Sequence, residues 1–256
     1  MGWLFGGNRK RARPAYSQLV SEPDPTSPPS TPRAAAPKGP TPREALQALR
    51  DGNEAFLRGE SNLGHVTADD LDELQGGQAP IATIVGCADS RTPPTILFNQ
   101  GFGRLFSIRV AGNTVDRRGL ASIVYAVKHL HCPLVVVMGP TGCGAVAAAE
   151  AIVDGRAEMD PSLEAMIEPI IPAVLQARRS RPANPALAAV EENSRTVATK
   201  LATADTALAE ALANGSLMIV GAPASVSPAR AIGCSKPRSP PTLRFSARSS
   251  NARSRL

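Results

Sequence analysis

Two short segments carry the side chains most capable of chemistry. Gly86-Cys87-Ala88-Asp89-Ser90-Arg91 directly follows one apolar run, and Gly139-Pro140-Thr141-Gly142-Cys143-Gly144-Ala145-Val146 directly follows another. Each sets one cysteine just beyond a run that reads as a strand. Cys87 and Asp89 are two apart, so in extended chain they point to the same side. Cys143 opens an expected helix, where the dipole and free N–H groups favour a thiolate. Two thiolates and one carboxylate brought together would hold a soft divalent cation tetrahedrally, and zinc suits that donor set best. A plainer reading stays open from spacing alone, because a cysteine at a buried strand end is often only a small core residue.

The elements that must position these groups are legible from periodicity. Thr41-Pro42-Arg43-Glu44 is a capping box with proline at the first helical position. Ala45, Leu46, Leu49, Phe56 and Leu57 then give one apolar helical face, and a short second helix carries Leu71 and Leu74. Apolar, β-branched runs at 81–85, 105–110, 134–138 and 217–220 read as four strands. Leu120, Ile123, Val124, Val127 and Leu130 fall at helical spacing, an Ala-rich helix follows Gly139, and Asn184-Pro185 opens a long helix running through Leu212. Strands alternating with helices predict an α/β fold, a parallel β-sheet flanked by α-helices. Sites in such sheets form just past the carboxyl ends of strands, where both cysteine segments lie.

The ends differ from this middle. Residues 14–42 contain nine prolines, so 1–40 is expected to be a disordered Pro-rich arm. Periodicity ends at Gly221, and 25 of the last 35 residues are Ala, Pro, Ser or Arg. Residues 222–256 are therefore expected to be a disordered basic tail, with the folded domain at 41–221. That tail composition resembles a GC-rich gene read out of frame; one intact frame with the same ending in close relatives would refute this. The chain carries +6, but 1–43 contributes +5 and 222–256 contributes +7, leaving 44–221 at −6. The whole-chain charge thus gives no reason to expect nucleic-acid binding. No apolar run approaches the ~18–20 residues that span a bilayer, so no membrane association is expected. Four cysteines without a secretory signal fit a cytoplasmic, reducing compartment, where grouped cysteines mean metal or catalysis more often than disulfides.

Cys87-Ala88-Asp89-Ser90-Arg91, Pro93-Pro94, Phe98, Gln100-Gly101, Arg109, Ala111-Gly112-Asn113 and Cys143-Gly144-Ala145-Val146 together resemble the β-class carbonic anhydrases, in order over about residues 41–221. The resemblance implies reversible hydration of carbon dioxide to bicarbonate by a zinc lyase. It implies a Cys, His and Cys ligand set, with the Asp of C-x-D-x-R or a water in the fourth place. Carried over, Cys87 and Cys143 are metal ligands, Asp89 is the switchable ligand, and Arg91 pairs with Asp89 when it leaves the metal. The family is usually dimeric or higher, so a homo-oligomer is expected, a dimer or tetramer whose N-terminal helix grips a neighbour. Hydrolysis of another linear triatomic such as carbon disulfide is not separated from this activity by motif.

One position departs from the pattern. The family's second metal motif is H-x-x-C, and its histidine aligns with Pro140, which offers no ligand atom. His129 and His131 precede the third strand and lie on the order of 20–30 Å from its far tip, against a Zn–N bond of about 2.0–2.1 Å. His65 sits in an early loop and is read as exposed or structural. The remaining set is Cys87, Asp89 and Cys143. If Asp89 stays on zinc, three negative ligands raise the pKa of water there; if it swings to Arg91, two protein ligands remain. Weak zinc occupancy and impaired activity are expected. The alternative is a non-catalytic subunit, or a degraded gene product, that keeps the fold and dimerises. Cys132 is read as a packed thiol, Cys234 as incidental, Asn99 as a surface hydrogen-bonding residue and Gly142-x-Gly144 as too short for a phosphate loop.

Overall fold

The capping box at Thr41 forms as spelled. Glu44 N–H donates to Thr41 Oγ1 at 3.3 Å and Thr41 N–H donates to Glu44 Oε2 at 2.7 Å in the computed structural model, which describes residues 39–60, 67–75 and 77–224. The expected arm at 1–40 falls almost wholly outside these residues, as does the tail beyond 224. The cap starts α1 (Pro42–Arg58), which ends where Gly59 turns left-handed at φ 77. There follow α2 (Ala68–Gln75), β1 (Ala82–Gly86), α3 (Pro94–Leu97), β2 (Leu105–Arg109), α4 (Arg117–His129), β3 (Leu134–Pro140) and α5 (Gly144–Val153). Then come α6 (Glu164–Ile167), α7 (Ile171–Arg179), α8 (Pro185–Ala204), α9 (Thr206–Ala213) and β4 (Met218–Ala224).

All strand pairs are parallel, in the order β2-β1-β3-β4. Both central strands are buried along their whole length, which is why they read as continuous apolar runs rather than alternating ones. Side-chain alternation then sorts the core by face. Ile84, Val136 and Met138 pack with Leu46 and Leu49 of α1 and with Phe98. Val85, Val135 and Val137 pack instead with Ile123 of α4, Val197 and Leu201 of α8 and Leu208 of α9. α1 is pinned further by Asn53, whose buried Nδ2 donates to Leu97 O at 2.8 Å.

Three features differ from the sequence expectation. The long helix through Leu212 is two helices, because Asp205 is extended (φ −149, ψ 144) and its carboxylate accepts from Ala207 N–H at 2.8 Å. A short acidic side chain that can cap its own downstream N–H groups competes with helix continuation. α7 and its flanking turns between 155 and 183 had no counterpart in the sequence reading. β4 continues past Gly221 to Ala224, with Pro223 opposite Gly139 and Ala224 opposite Pro140. Proline is tolerated there because β4 is an edge strand among the described residues, and Pro223 need donate no ladder bond on its outer side.

The approach of α8 to β4 is close. A Cβ on Gly221 would stand 2.8 Å from Ser194 O and 3.0 Å from its carbonyl carbon, both backbone atoms. Gly221→Val should therefore destabilise the fold by about 1–3 kcal/mol through overpacking. The check is a lower urea midpoint at unchanged m-value; an unaltered midpoint would show that α8 can back away.

Candidate metal centre

The sheet register brings the two cysteine segments together. Gly86, the last residue of β1, stands opposite Met138 of the neighbouring β3. Cys87 follows Gly86 immediately, and Cys143 lies three residues past Pro140, at the N-cap of α5. Their Sγ atoms are 3.9 Å apart, and the residues are only 6% and 2% exposed. Two thiolates on one tetrahedral zinc, each at ~2.3 Å, stand about 3.8 Å apart. The sulfur pair thus has the spacing of a chelate.

The surroundings favour charge on Cys87. The hydrogen bond between the two sulfurs lowers the Cys87 pKa; burial opposes this, and the backbone N–H groups of Asp89 and Gly112 reinforce it. The net result is a Cys87 thiol lowered to about 6. Cys143 is pushed up, first by that same bond and then by burial. The Gly112 N–H lies 3.3 Å from Cys87 Sγ. Gly112 has φ 76, and a Cβ there would fall 2.6 Å from Ile170 Cδ1, so the turn at Ala111–Asn113 needs glycine.

Asp89 faces Arg91 rather than completing a cluster with the sulfurs. Arg91 Nε donates to Asp89 Oδ1 at 2.9 Å, Nη2 donates to Oδ2 at 2.6 Å, and the Arg91 N–H adds a third bond to Oδ1 at 2.9 Å. These bonds hold the carboxyl below its ordinary range. Arg91 Nη2 also reaches Thr141 O at 3.4 Å and Gly142 O at 3.3 Å, tying the first cysteine segment to the second. Arg109 fixes the same loop by its backbone: Nε donates to Cys87 O at 3.0 Å and Nη2 to Asp89 O at 2.6 Å. In the sequence Arg109 shows only as part of the motif, because its partners are backbone carbonyls 22 and 20 residues away.

The Asp89–Arg91 pair makes stability depend on acid. A carboxyl with a depressed folded pKa stabilises the fold above its unfolded value, ~3.9, and that contribution is lost as pH falls through the lower folded value. Arg91 is half exposed, so screening keeps the effect under about 1 kcal/mol. Wild type should lose melting temperature relative to Asp89→Asn as pH drops below about 4. Parallel melting curves from pH 6 to pH 2 would discount the pair.

Among the described residues, no third donor accompanies the sulfurs. Pro140 is buried at the end of β3, and its ring has no ligating atom. His129 ends α4 and His131 precedes Leu134, so β3 lies between both and the sulfur pair, as expected. His129 instead stacks on Tyr125 with ring centroids 5.3 Å apart. His65 and Cys234 lie outside the described residues. Among the described residues no group of three or more His, Cys, Asp or Glu is placed to hold a metal ion. Among the described residues the soft donors brought together are the two cysteine sulfurs, a pair whose chemistry suits zinc, and Asp89 could join them only by leaving Arg91. Cys132 is core, accepting from Thr83 Oγ1 at 3.3 Å. Asn99 has φ 48 and donates to Glu60 O at 3.3 Å, joining the end of α1 to the loop after α3.

Residues 82–231 match the family model described as "Carbonic anhydrase". Carbonic anhydrase 2 of Mycobacterium tuberculosis is 38% identical over 196 residues, 75% of this chain and 92% of that protein. A carbonic anhydrase of Mycolicibacterium smegmatis is 36% identical over 180 residues, 70% of this chain and 87% of that protein. Among solved structures, a tetrameric β-carbonic anhydrase of Sordaria macrospora shares the fold at a TM-score of 0.56 and 23% identity, covering 70% of this chain and 91% of that one. The β-carbonic anhydrase CcaA superposes at a TM-score of 0.53 and 26% identity, covering 70% and 90%.

Proposed function

The chain belongs to the β-class carbonic anhydrases, and from that membership we propose that it hydrates carbon dioxide reversibly to bicarbonate, with zinc held by Cys87 and Cys143. The observation that carries this reading is the convergence of two buried sulfurs to 3.9 Å from separate strand tips. Bound there, zinc would supply an acidified water molecule as a nucleophile near neutral pH.

The chain's own groups divide the remaining work. Cys87 and Cys143 supply two anionic donors, with the Gly112 N–H bonded to the first. Asp89 and Arg91 form a pair that can release the carboxylate toward the metal or withhold it. Arg109 and Arg91 hold the two loops in register. With Pro140 in place of the family's histidine, the site has two protein donors when Asp89 stays on Arg91. With Asp89 on the metal, two thiolates and a carboxylate outweigh the +2 charge, which raises the pKa of water there. Either arrangement gives weak zinc occupancy and turnover below that of the relatives. The non-catalytic alternative has less support, since the matched relatives are named as carbonic anhydrases.

The chain is further proposed to act as a cytoplasmic homo-oligomer. β2 is an edge strand among the described residues, and Phe106 on it stacks at 6.3 Å on Tyr125 of α4, which is 45% exposed. Phe102, just before β2, is also largely exposed. A second copy would cover this apolar edge. No helix among the described residues is long and apolar enough to cross a membrane.

The test is zinc quantification on purified protein, paired with a stopped-flow carbon dioxide hydration assay and a solution mass by light scattering. Substoichiometric zinc, with hydration that scales with zinc content, is expected. Hydration indifferent to zinc removal, or none at saturating zinc, would overturn the proposal.

A further inference from the structure

Asn193 is a polar residue in the middle of α8, on the buried face it shares with Val190, Ser194, Val197 and Leu201, and it is 1% exposed. Asparagine is a poor helix former, and a buried amide without partners is costly. Its partners lie in the turn that follows β2. Nδ2 donates to Gly112 O at 2.8 Å and approaches Asn113 Oδ1 at 3.4 Å.

Those two residues form an unusual stretch of backbone. Gly112 (φ 76) and Asn113 (φ 46) are both left-handed, and Asn113 is fully buried. Glycine has the widest conformational freedom of any residue, so Gly112 will not hold an orientation by itself. Here it is pinned on both sides of its Cα. Its carbonyl accepts from Asn193, and its N–H points at Cys87 Sγ, 3.3 Å away.

We infer that Asn193 is a positioning residue for the metal centre: by clamping the Gly112 carbonyl it aims the Gly112 N–H at the Cys87 sulfur. An N–H donated to a thiolate stabilises its charge and fixes its orientation, as outer partners of metal ligands do. With two sulfurs as the protein donors in place, the orientation of one sulfur carries much of the site's affinity. This inference rests on the reading of Cys87 and Cys143 as ligands.

The test uses the full chain with Asn193→Leu, which keeps side-chain size and removes the donor, beside Val197→Ala, a buried change one turn along α8 that removes no hydrogen-bonding group. Cobalt(II) is the probe. Asn193→Leu should weaken cobalt binding by about tenfold or more and move the sulfur-to-cobalt charge-transfer band to lower energy. Val197→Ala should leave the band and the affinity unchanged despite a lower melting temperature. A metal-free reading runs in parallel. In ¹⁵N-labelled protein the Gly112 amide should shift and exchange at least about tenfold faster in Asn193→Leu, on the scale of a lost outer partner, but not in Val197→Ala. An unmoved band with an unmoved Gly112 amide, or equal effects from Val197→Ala, would overturn the assignment. A wild-type protein with no sulfur-to-cobalt band would instead count against the ligand reading. The Gly112 amide would then decide separately whether Asn193 orients the N–H.

Discussion

Pro140→His should raise both zinc affinity and carbon dioxide hydration by more than about tenfold, because it adds a donor where outer partners alone are worth about 10–100-fold. Residue 140 ends β3 three positions before Cys143, and β3 lies beside the strand whose tip carries Cys87. An imidazole there would give three protein donors without a third negative charge, leaving Asp89 free to stay on Arg91. The site would then have the three-ligand, one-open-position form typical of catalytic zinc. The substitution carries a signature beyond activity. Residue 140 is buried, so an unpaired imidazole should cost the metal-free protein about 1–3 kcal/mol. Zinc should repay this, giving the variant a larger zinc-dependent rise in melting temperature than wild type. Its zinc affinity should also fall more steeply in acid, since the added ligand must be neutral to bind. Chelator competition and stopped-flow assays measure the outcome; no increase in either quantity would refute the claim that ligand loss limits this protein.

Cys143→Ala should abolish measurable zinc binding and hydration together. One sulfur would remain of the pair that stands 3.9 Å apart, and a lone thiolate does not hold zinc securely. Loss of at least about a hundredfold in affinity is expected, beyond the range for an outer partner. Alanine is the informative replacement. Cys143 packs among Ala145, Val146, Ile167 and Ile170, where a serine hydroxyl would add a desolvation cost of its own. The alanine variant should stay folded by circular dichroism while losing the metal. Undiminished zinc content with normal hydration would show that the sulfurs are core residues, the plain reading that spacing alone left open. Cys87→Ala should behave alike and also release the Gly112 N–H from its sulfur acceptor.

Much of the scaffold was legible from short-range chemistry. The Thr41–Glu44 capping box, the four apolar runs and the helical spacing of Ile123 and Val127 are local signals, and each formed near where it was read. The break at Asp205 was missed because its flanks continue a helical apolar pattern, while the break depends on one carboxylate capping Ala207. Asn193 carried a visible signal, an amide on an apolar face, but its partner is 81 residues away.

For the site, residue order alone determined which groups are available: two cysteines past strand tips, an Asp-x-Arg pair, and a proline, which has no ligating atom, three residues before the second cysteine. Tertiary structure alone decided how they meet. The β1–β3 register sets the sulfur spacing, Arg91 binds the Asp89 carboxylate, and a glycine N–H from a distant turn reaches Cys87. Periodicity reports which way a side chain faces along its own element. It does not report the register between elements, nor which of several partners a charged or polar group will take once they are packed together.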